Sequence, residues 1–584
     1  MLHLIEALAS SAYHCVSRHS FVLIKGEYLM SYRLGAWLFF LVCVVALGLR
    51  PATAQEDPHA HHESVGYVPR SILERPLPIR KGTGTVHETV TTSSREAQAF
   101  YDQGLAYLHS YVWVEAARSF NQALRHDGKL AMAYVGLSRA YSGLDDLNAA
   151  RESLEKAQSL AAAASPREQR RIAIRANQLE ALSDLNSSAK HLAYKKAIDD
   201  ALSIDANDAE LLLLRGNAEE PTAAGRGQRG GAAATVFYEK VFAISPDNFA
   251  AHHYLIHSYE NIGQMEPALK HGEAYARLAY EIPHARHMYG HDLRRVGRIT
   301  EAIAEFRKAD DLENTYYSAE NIPSDYDWHH QHNLDLLSTS YQYIGQMKTA
   351  EQLMKQAFEI RSVNVGLEFA KKEWPRFLLG RGRKQEALAA ANTLITGKYP
   401  RTRATGHLIA GQVLLSMNRM AEAKGELAEA EKQMRDAPGT VGGGSAGGIQ
   451  PPVEPELEAL RAEILLREGK TEEGGALFKE VERKLRALLG PDAWSQALFR
   501  LESIAQAARE AGDWELAEYT AKQMLEHDAA YAGSHYAMAL VAEQKREKSA
   551  AEREFARAEE LWRGADLELP ELLQARAKMT ALRK

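Results

Sequence analysis

Two histidine pairs recur at one fixed interval, and this interval constrains the fold more than any other feature of the chain. His253 and His257 lie four residues apart, and the same pair returns at His287 and His291. Each histidine and its counterpart are separated by about 34 residues, a period typical of stacked helix–turn–helix repeats. A step of four keeps both side chains of a pair on one helical face. We therefore expect four imidazoles on one face of two neighbouring helices.

The length and the net charge of the chain limit the classes of protein to which it can belong. The chain has 584 residues, which is too long for one compact core unless it forms an array of repeats. Charged residues make up 25% and hydrophobic residues 45%, an ordinary soluble composition. The formal net charge of −7 and the lack of a sustained basic stripe give no electrostatic footprint for nucleic acid, so no nucleic-acid partner is expected.

Residues 1–54 are predicted to form an export signal. A nearly continuous apolar run at residues 34–49 follows Arg33 and precedes a small-x-small cleavage pattern that ends at Ala54. The run is short for a membrane span, so we expect cleavage near Ala54, no stable membrane insertion afterwards, and a periplasmic or secreted protein. An uncleaved anchor is the alternative. Met30 stands just upstream of the run and is the predicted start of translation.

Cysteine usage agrees with export. Cys15 and Cys43 both lie in the segment that we expect to be removed, and the mature chain would contain none. A chain without thiols suits an oxidising compartment. It also excludes disulfides, thiolate zinc sites, covalent c-type haem and cysteine nucleophiles.

Small, aromatic and alanine positions recur at the same period. A first set comprises Gly104, Tyr107, Ala116, Phe120 and Ala123, and the same classes return at Ser138, Tyr141, Ala150, Leu154 and Ala157. Small residues let two helices approach closely, and a large apolar residue fills the space between them. This pattern resembles the tetratricopeptide repeat family, and the resemblance covers most of residues 96–565. It implies an all-α fold, an α-solenoid of stacked helix–turn–helix repeats that winds into a right-handed superhelix.

The chain divides by composition into a lead-in and two arrays. Residues 55–95 are predicted to be an extended or partly disordered lead-in. An N-terminal array follows at 96–435, a Gly/Pro-rich linker at 436–453, and a C-terminal array with a capping helix at 454–584. A Gly-rich insertion at 220–232 and about 14 extra residues near 314–328 interrupt the first array.

Ten of the 23 histidines fall between residues 252 and 332. Counting from the turn glycines Gly263, Gly297 and Gly345 assigns most of them to a place in their repeat. In the tetratricopeptide family the second, fifth and ninth positions of a first helix point into the concave groove. The resemblance therefore implies a binding groove across residues 250–343, formed by His253, His257, Asn261, His284, His287, His291, His332 and Asp335.

Two functions fit such a groove. The first is an exported scaffold that binds a protein or peptide through aromatic and hydrogen-bonding contacts, and this is the favoured interpretation. The second is a transition-metal site for Zn, Cu, Ni or Fe, because neutral imidazole is a common ligand and packed helices lie ~8–10 Å apart. Its candidate ligands are His253, His257, His284, His287, His291 and His332. A buried b-type haem with histidine ligands is a further alternative.

No catalytic motif is readable in this sequence, so an enzyme is the less favoured class. A metal-dependent enzyme that uses the same histidines remains as an alternative, with Asp292, Asp325 or Asp327 as the candidate base. No substrate or cofactor beyond the metal is assigned. Under either function, binding through clustered imidazoles is expected to weaken on acidification.

Overall fold

Helices form the whole regular structure of the described residues. The computed structural model describes residues 67–220, 228–361, 371–397, 399–436, 453–488 and 493–582. Within these ranges there are 26 α-helices and no β-strand, which confirms the predicted all-α solenoid. These residues belong to one compact unit, His61–Lys584. The predicted export signal and nearly all of the predicted linker lie outside the described residues.

The helices follow one another as hairpins with short turns. Their bounds in the first half are α1 Arg70–Leu73, α2 Arg95–His109, α3 Trp113–His126, α4 Ala131–Gly143, α5 Leu147–Leu160, α6 Pro166–Ser183, α7 Ser188–Leu202, α8 Ala209–Asn217, α9 Ala232–Ile244, α10 Phe249–Asn261, α11 Met265–Leu278, α12 Pro283–Arg295 and α13 Ile299–Glu320. Those in the second half are α14 Trp328–Tyr343, α15 Met347–Glu359, α16 Glu373–Gly380, α17 Lys384–Ile395, α18 Pro400–Ser416, α19 Met420–Asp436, α20 Glu454–Arg467, α21 Thr471–Arg486, α22 Ala493–Glu510, α23 Trp514–His527, α24 Ala532–Gln544, α25 Lys548–Leu561 and α26 Pro570–Leu582.

The hairpins reverse direction at residues in the left-handed backbone region. Gly263 ends the α10 turn with φ +74°, and Gly297 ends the α12 turn with φ +79°. Glycine suits this position because a Cβ atom makes the left-handed conformation cost roughly 1–2 kcal/mol. The turn between α2 and α3 departs from this choice, since Tyr111 occupies the same position with φ +58°. A positive φ is uncommon for so bulky a residue.

The small and large positions of the repeat pack as the sequence predicts. The Phe120 ring on α3 is fully buried. A Cβ atom placed on Gly136 of α4 would lie 2.4 Å from this ring. Phe306 on α13 fills the same role against Gly290 of α12, 2.8 Å from the position of a Cβ atom. Close approach of this kind fixes the spacing between successive helices, and therefore the spacing between the histidines they carry.

The described part of the predicted lead-in packs against the first hairpins. Residues 67–94 run largely without regular structure but bury Leu73 and Leu77. Arg118 on α3 donates to the carbonyl oxygen of Pro76 at 2.8 Å, and Asn121 donates to that of Leu73 at 2.9 Å. This segment is therefore extended and held in place by side chains of the array.

Helices on either side of the predicted linker contact one another. The hydroxyl of Tyr343 donates to the carboxylate of Asp528 at 3.0 Å, and the backbone N–H of Asp566 donates to the carbonyl of Gly345 at 3.1 Å. The division of the chain into two arrays at residues 436–453 stays a prediction. None of the helices in the described ranges has the length and apolar character needed to span a bilayer.

Candidate functional site: a buried histidine cluster

The first three-histidine group, which we call site A, is formed by two neighbouring repeats. His253 and His257 lie on α10, and His284 lies in the first turn of α12. The Nε2 atom of His253 is 3.1 Å from Nε2 of His257 and 2.9 Å from Nε2 of His284. All three side chains are buried. Three imidazole nitrogens therefore converge on one point inside the protein.

A distant turn fixes the orientation of one ring of site A. The Nδ1 atom of His253 lies 2.6 Å from the carbonyl oxygen of His109, to which its N–H donates. The proton is therefore on Nδ1, and Nε2 keeps its lone pair. His109 is held in turn by the Tyr254 hydroxyl at 2.9 Å and by the Glu210 carboxylate at 2.8 Å. These contacts pre-set His253 as a lone-pair donor.

Tyr111 covers site A. Its ring centroid lies 4.5 Å from that of His253, 5.2 Å from that of His284 and 6.1 Å from that of His257. Its carbonyl accepts a hydrogen bond of 3.1 Å from the indole N–H of Trp328. The left-handed turn at Tyr111 thus carries an aromatic ring onto the site. As a result the predicted groove residues are buried here instead of lining an open surface.

The second three-histidine group, site B, consists of His287 and His291 on α12 and His332 on α14. One ring nitrogen from each lies within 4.8 Å of the others, and all three residues are buried. The Nδ1–H of His287 donates to Oδ1 of Asn333 at 2.9 Å, and Nδ2 of Asn333 donates to the carbonyl of Phe306 at 2.9 Å. The second bond fixes the amide orientation and hence the tautomer of His287. Its Nε2 atom has no hydrogen-bond partner among the described residues.

A buried carboxylate lies between the two sites. The Glu260 carboxylate is 3.9 Å from Nδ1 of His257 in site A and 3.8 Å from Nδ1 of His291 in site B. Asp292 lies close to Glu260, and burial together with the charge of Glu260 raises the pKa of Asp292 well above its ordinary value. Gly272 makes room for this acid, since a Cβ atom there would lie 2.3 Å from the Asp292 carboxylate. Sites A and B therefore share the Glu260 carboxylate as a neighbour.

A seventh imidazole, His329, lies against both sites. Its ring centroid is 4.9 Å from that of His284 and 4.6 Å from that of His287. Its Nδ1 atom is hydrogen-bonded to the buried carboxyl group of Glu313. Glu313 also belongs to a third potential metal-binding group, with Asp310 and His330. We regard that group as the weaker candidate because His330 already pairs with Asp310 at 3.0 Å and Glu313 with His329.

Burial keeps these imidazoles neutral. Desolvation, reinforced by the charge of neighbouring imidazoles, lowers the pKa of His253, His284, His287 and His291 well below the ordinary value. Burial lowers the pKa of His257 to about 3. A neutral imidazole has the lone pair that a metal ion requires. These five imidazoles are therefore in their ligand form at neutral pH.

Other predicted residues lie away from the cluster. Asn261 donates to the carbonyl oxygens of Gln228 and Gly230, at 2.9 and 2.8 Å, beside the predicted insertion. Asp335 lines a separate cleft of about 170 Å³ that is bordered by arginines of both predicted arrays. Of the three acids predicted as candidate bases, Asp325 pairs with Arg361 at 3.2 Å and Asp327 caps α14 through the N–H of His329 at 2.8 Å. Asp292, in contrast, lies next to Glu260 and so close to the cluster.

Four residues of the site were not among the predicted ligands: Tyr111, Glu260, His329 and Asn333. For Tyr111 a signal existed, because it stands one repeat period before the turn residue Asp145 and occupies a place that Gly263 and Gly297 take elsewhere. The other three carry no such signal. Their role depends on contacts between α10, α12, α13 and α14 that no local pattern encodes.

A cavity of about 410 Å³ opens beside site A. Its floor includes His284, His329 and Trp328, which are buried, and its walls include Tyr111 and Trp113. The rings of Trp113 and Trp328 stack with centroids 5.5 Å apart. Lys81, Glu281, Thr315 and Ala319 line its exposed mouth. The cavity therefore connects solvent with the histidine cluster.

Comparison with known proteins agrees with the repeat fold. Residues 131–163, which comprise α4, α5 and the turn that follows, match the family model of the tetratricopeptide repeat. No curated protein sequence matches the chain. Among solved structures, the chain is similar to a tetratricopeptide repeat protein from Parabacteroides merdae, at 13% identity and a TM-score of 0.33 over 45% of this chain and 93% of that one. It is also similar to human IFIT1, at 13% identity and a TM-score of 0.38 over 75% of this chain and 91% of that one. Identities and TM-scores this low carry no argument about the function of this chain.

The matched repeat and the recurring hairpins define the class of this molecule. The described residues form an all-α solenoid of helical hairpins, of which residues 131–163 match the tetratricopeptide repeat. Such a scaffold supports a protein-interaction role, because stacked repeats offer extended surfaces to partners. The histidine cluster is an addition to that scaffold, and its chemistry has to be argued from its own geometry.

Proposed function

We propose that this protein binds transition-metal ions at sites A and B. The observation that carries the proposal is the convergence of three Nε2 atoms in site A, with separations of 3.1 and 2.9 Å from His253. Ligand nitrogens at 2.0–2.1 Å from a tetrahedral metal ion lie about 3.3 Å apart. The spacing in site A is close to this value. Site B supplies a second set of three imidazoles within 4.8 Å of one another.

Hydrogen bonding accounts for only one of the two contacts in site A. His253 carries its proton on Nδ1, so its Nε2 atom has a single lone pair in the plane of the ring. One such lone pair accepts one well-aligned N–H, whereas two neighbouring nitrogens lie within 3.1 Å of it. A metal ion accepts one lone pair from each of three rings. A single metal ion therefore accounts for both short contacts of His253, whereas hydrogen bonding accounts for only one of them.

The surroundings of both sites have the character of an outer ligand shell. Metal-bound histidines generally donate their other N–H to a carboxylate or carbonyl, which fixes the ring and raises its basicity. His253 donates to a backbone carbonyl and His287 to the Asn333 amide oxygen. The Glu260 carboxylate lies within 3.9 Å of His257 and His291. An all-imidazole ligand set suits Zn, Cu, Ni or Fe and disfavours Mg or Ca.

Metal analysis of the purified protein, without an affinity tag or chelator, tests the proposal. We expect about one equivalent of a transition metal for each occupied site. The double variant His253→Gln with His257→Gln should remove the metal of site A and leave that of site B. The double variant His287→Gln with His291→Gln should remove the metal of site B and leave that of site A.

A matched control uses histidines outside both sites. His407 and His535 pair with Glu426 and Glu554 at 2.6 and 2.8 Å, and the variant with glutamine at both positions should keep the full metal content. Absence of bound metal, together with no uptake of Zn, Cu or Ni at micromolar concentration, would refute the proposal. Equal loss of metal in the control and the site variants would refute the assignment of ligands.

We also propose that the scaffold has a protein or peptide partner. The six predicted groove histidines are at most 5% exposed, so the partner would contact other surfaces of the array. The cleft that Asp335 shares with Arg376 and Arg500 is the better candidate. A photo-crosslinking residue at Gln342, which lines this cleft, should capture the partner. The same residue at Asn177, a half-buried side chain of α6 outside this cleft, should not.

We also propose that the protein is exported from the cytoplasm. It rests on the apolar run at residues 34–49 and the cleavage pattern that ends at Ala54. Mass determination of the N-terminus of the protein from its native source should give Gln55. Retention of residues 34–49 in the isolated protein would contradict cleavage.

A further inference from the structure

The geometry points to a ligand for the cavity beside site A: we propose that it binds a small, planar, uncharged aromatic molecule. The inference extends the proposed metal function, because the floor of the cavity includes His284 of site A. Binding to the walls, however, does not require the metal. The two proposals can therefore fail separately.

The shape and lining of the cavity support an aromatic occupant. Its volume of about 410 Å³ falls in the range of small-molecule sites, ≈ 300–1,000 Å³. Tyr111, Trp113, Tyr316 and Trp328 supply ring faces and edges along its walls. Aromatic rings prefer offset-stacked or edge-to-face partners, and each such pair adds affinity beyond the area that it buries. A planar ring makes these contacts, and a puckered aliphatic ring of the same size does not.

The charges of the cavity favour an uncharged occupant. The buried carboxyl groups that line the cavity already have partners: Glu115 pairs with Arg118 at 2.6 Å, and Glu313 is hydrogen-bonded to His329. Arg80 is paired with Glu320. A carboxylate on the ligand would therefore lose its hydration without gaining a counter-charge. Charged groups that line the exposed mouth, such as Lys81 and Glu281, stay in contact with water.

The position of the cavity gives the ligand access to the histidine cluster. His284 and His329 contribute to the floor, and their ring centroids are 4.9 Å apart. A molecule that fills the cavity is thus in contact with a ring that we assign to the metal. Binding should therefore perturb the spectrum of a metal ion in site A.

Calorimetric titration with phenol, cyclohexanol and benzoate tests the proposal on the purified protein, both metal-free and metal-loaded. Phenol should bind about 3- to 10-fold more tightly than cyclohexanol, because it adds aromatic contacts at nearly constant size. Benzoate should bind at least about tenfold more weakly than phenol. Equal binding of phenol and cyclohexanol, tighter binding of benzoate, or no binding of phenol at millimolar concentration would overturn the proposal.

Two neighbouring exposed positions on α13 provide a matched pair of variants. Ala319 lines the mouth of the cavity, and the adjacent Ser318 does not. Ala319→Trp should block the mouth and weaken phenol binding at least about tenfold, whereas Ser318→Trp should leave it unchanged. Because both sites are exposed, neither substitution disturbs the core. Equal effects of the two substitutions would place the ligand elsewhere.

The spectrum of Co²⁺ bound in place of the native metal separates this proposal from the metal proposal. A shift of the visible Co²⁺ bands on addition of phenol supports contact with site A. Phenol binding without any Co²⁺ uptake would support the aromatic site and refute the metal site. Co²⁺ uptake with no phenol binding would support the metal site and refute the aromatic site.

Discussion

Acidification of the metal-free protein is expected to loosen the histidine-bearing helices before the rest of the array. Six imidazoles of the cluster have a pKa that burial lowers from the ordinary 6.5, namely His253, His257, His284, His287, His291 and His329. In the unfolded chain each of them titrates near 6.5. As the pH falls below 6.5, the imidazoles bind protons in the unfolded state but not in the folded state. The stability that these residues contribute is therefore present above pH 6.5 and lost below it.

The size of this loss follows from the pKa difference. Between pH 7.5 and 5.5, an imidazole that stays neutral in the folded protein shifts the free energy of unfolding by about 1.4 kcal/mol. His257 and His329, whose pKa values are lowered to about 3 and about 4, together amount to about 3 kcal/mol. The four rings whose pKa lies well below the ordinary value add to this loss. A whole domain is stable by only ≈ 5–15 kcal/mol. The local fold of α10, α12 and α14 should therefore lose a large part of its stability at pH 5.5 unless a metal ion holds the rings in their neutral form.

Hydrogen exchange followed by mass spectrometry, corrected for the intrinsic pH dependence of exchange, measures this effect by segment. Amides in α10, α12 and α14 of the metal-free protein should lose several kcal/mol of protection at pH 5.5. The hairpin of α4 and α5 contains no histidine and serves as the internal control. Bound metal should restore protection, because it competes with protons for the same lone pairs. A loss in the histidine helices no larger than that in the control hairpin would refute the reasoning.

Three substitutions give further tests. Asn333→Leu should lower the metal affinity of site B by about 10- to 100-fold in chelator competition, because the amide that orients one ligand is lost; an unchanged affinity would contradict its role. Phe306→Ala should lower the free energy of unfolding by about 3–5 kcal/mol, measured by urea denaturation, since this ring is fully buried; a change below about 1 kcal/mol would show that the packing argument is wrong. Arg171→Met should lower the free energy of unfolding by about 1.5–3 kcal/mol in the same measurement, because Glu88 and Asp208 lose the buried guanidinium at 2.9 and 2.7 Å and keep only Arg167, at 3.1 Å from each; a neutral result would mean that Arg167 or water replaces it.

The histidine pairs show how much of the candidate site could be predicted from local sequence pattern. The four-residue step and the repeat period place His253, His257, His287 and His291 on two neighbouring helices. The two rings of each pair do lie together, but the two pairs belong to separate groups of three. The third member of each site, His284 or His332, was also among the predicted candidates. Periodicity succeeds here because the repeat fixes both the helical face and the distance between neighbouring helices.

The same pattern could not predict that Tyr111 covers the histidine cluster. The turn at Tyr111 lies several repeats before His253 in the chain, yet its ring rests 4.5 Å from that histidine. Contacts between such distant segments depend on the accumulated rotation of the intervening repeats. For the same reason the predicted groove residues Asn261 and Asp335 lie apart from the cluster, although their repeat positions suggested otherwise.

The amino-acid sequence by itself determined the helical repeat, the positions of its turns and the face on which the paired histidines stand, because these depend on contacts within a hairpin or between adjacent ones. Only the tertiary structure decided that six histidines form two separate groups of three, that Glu260 lies between them and that an aromatic cavity opens beside site A. The physical reason is the superhelical path of the array. Small rotations at each repeat add up, and their sum selects which remote side chains finally meet.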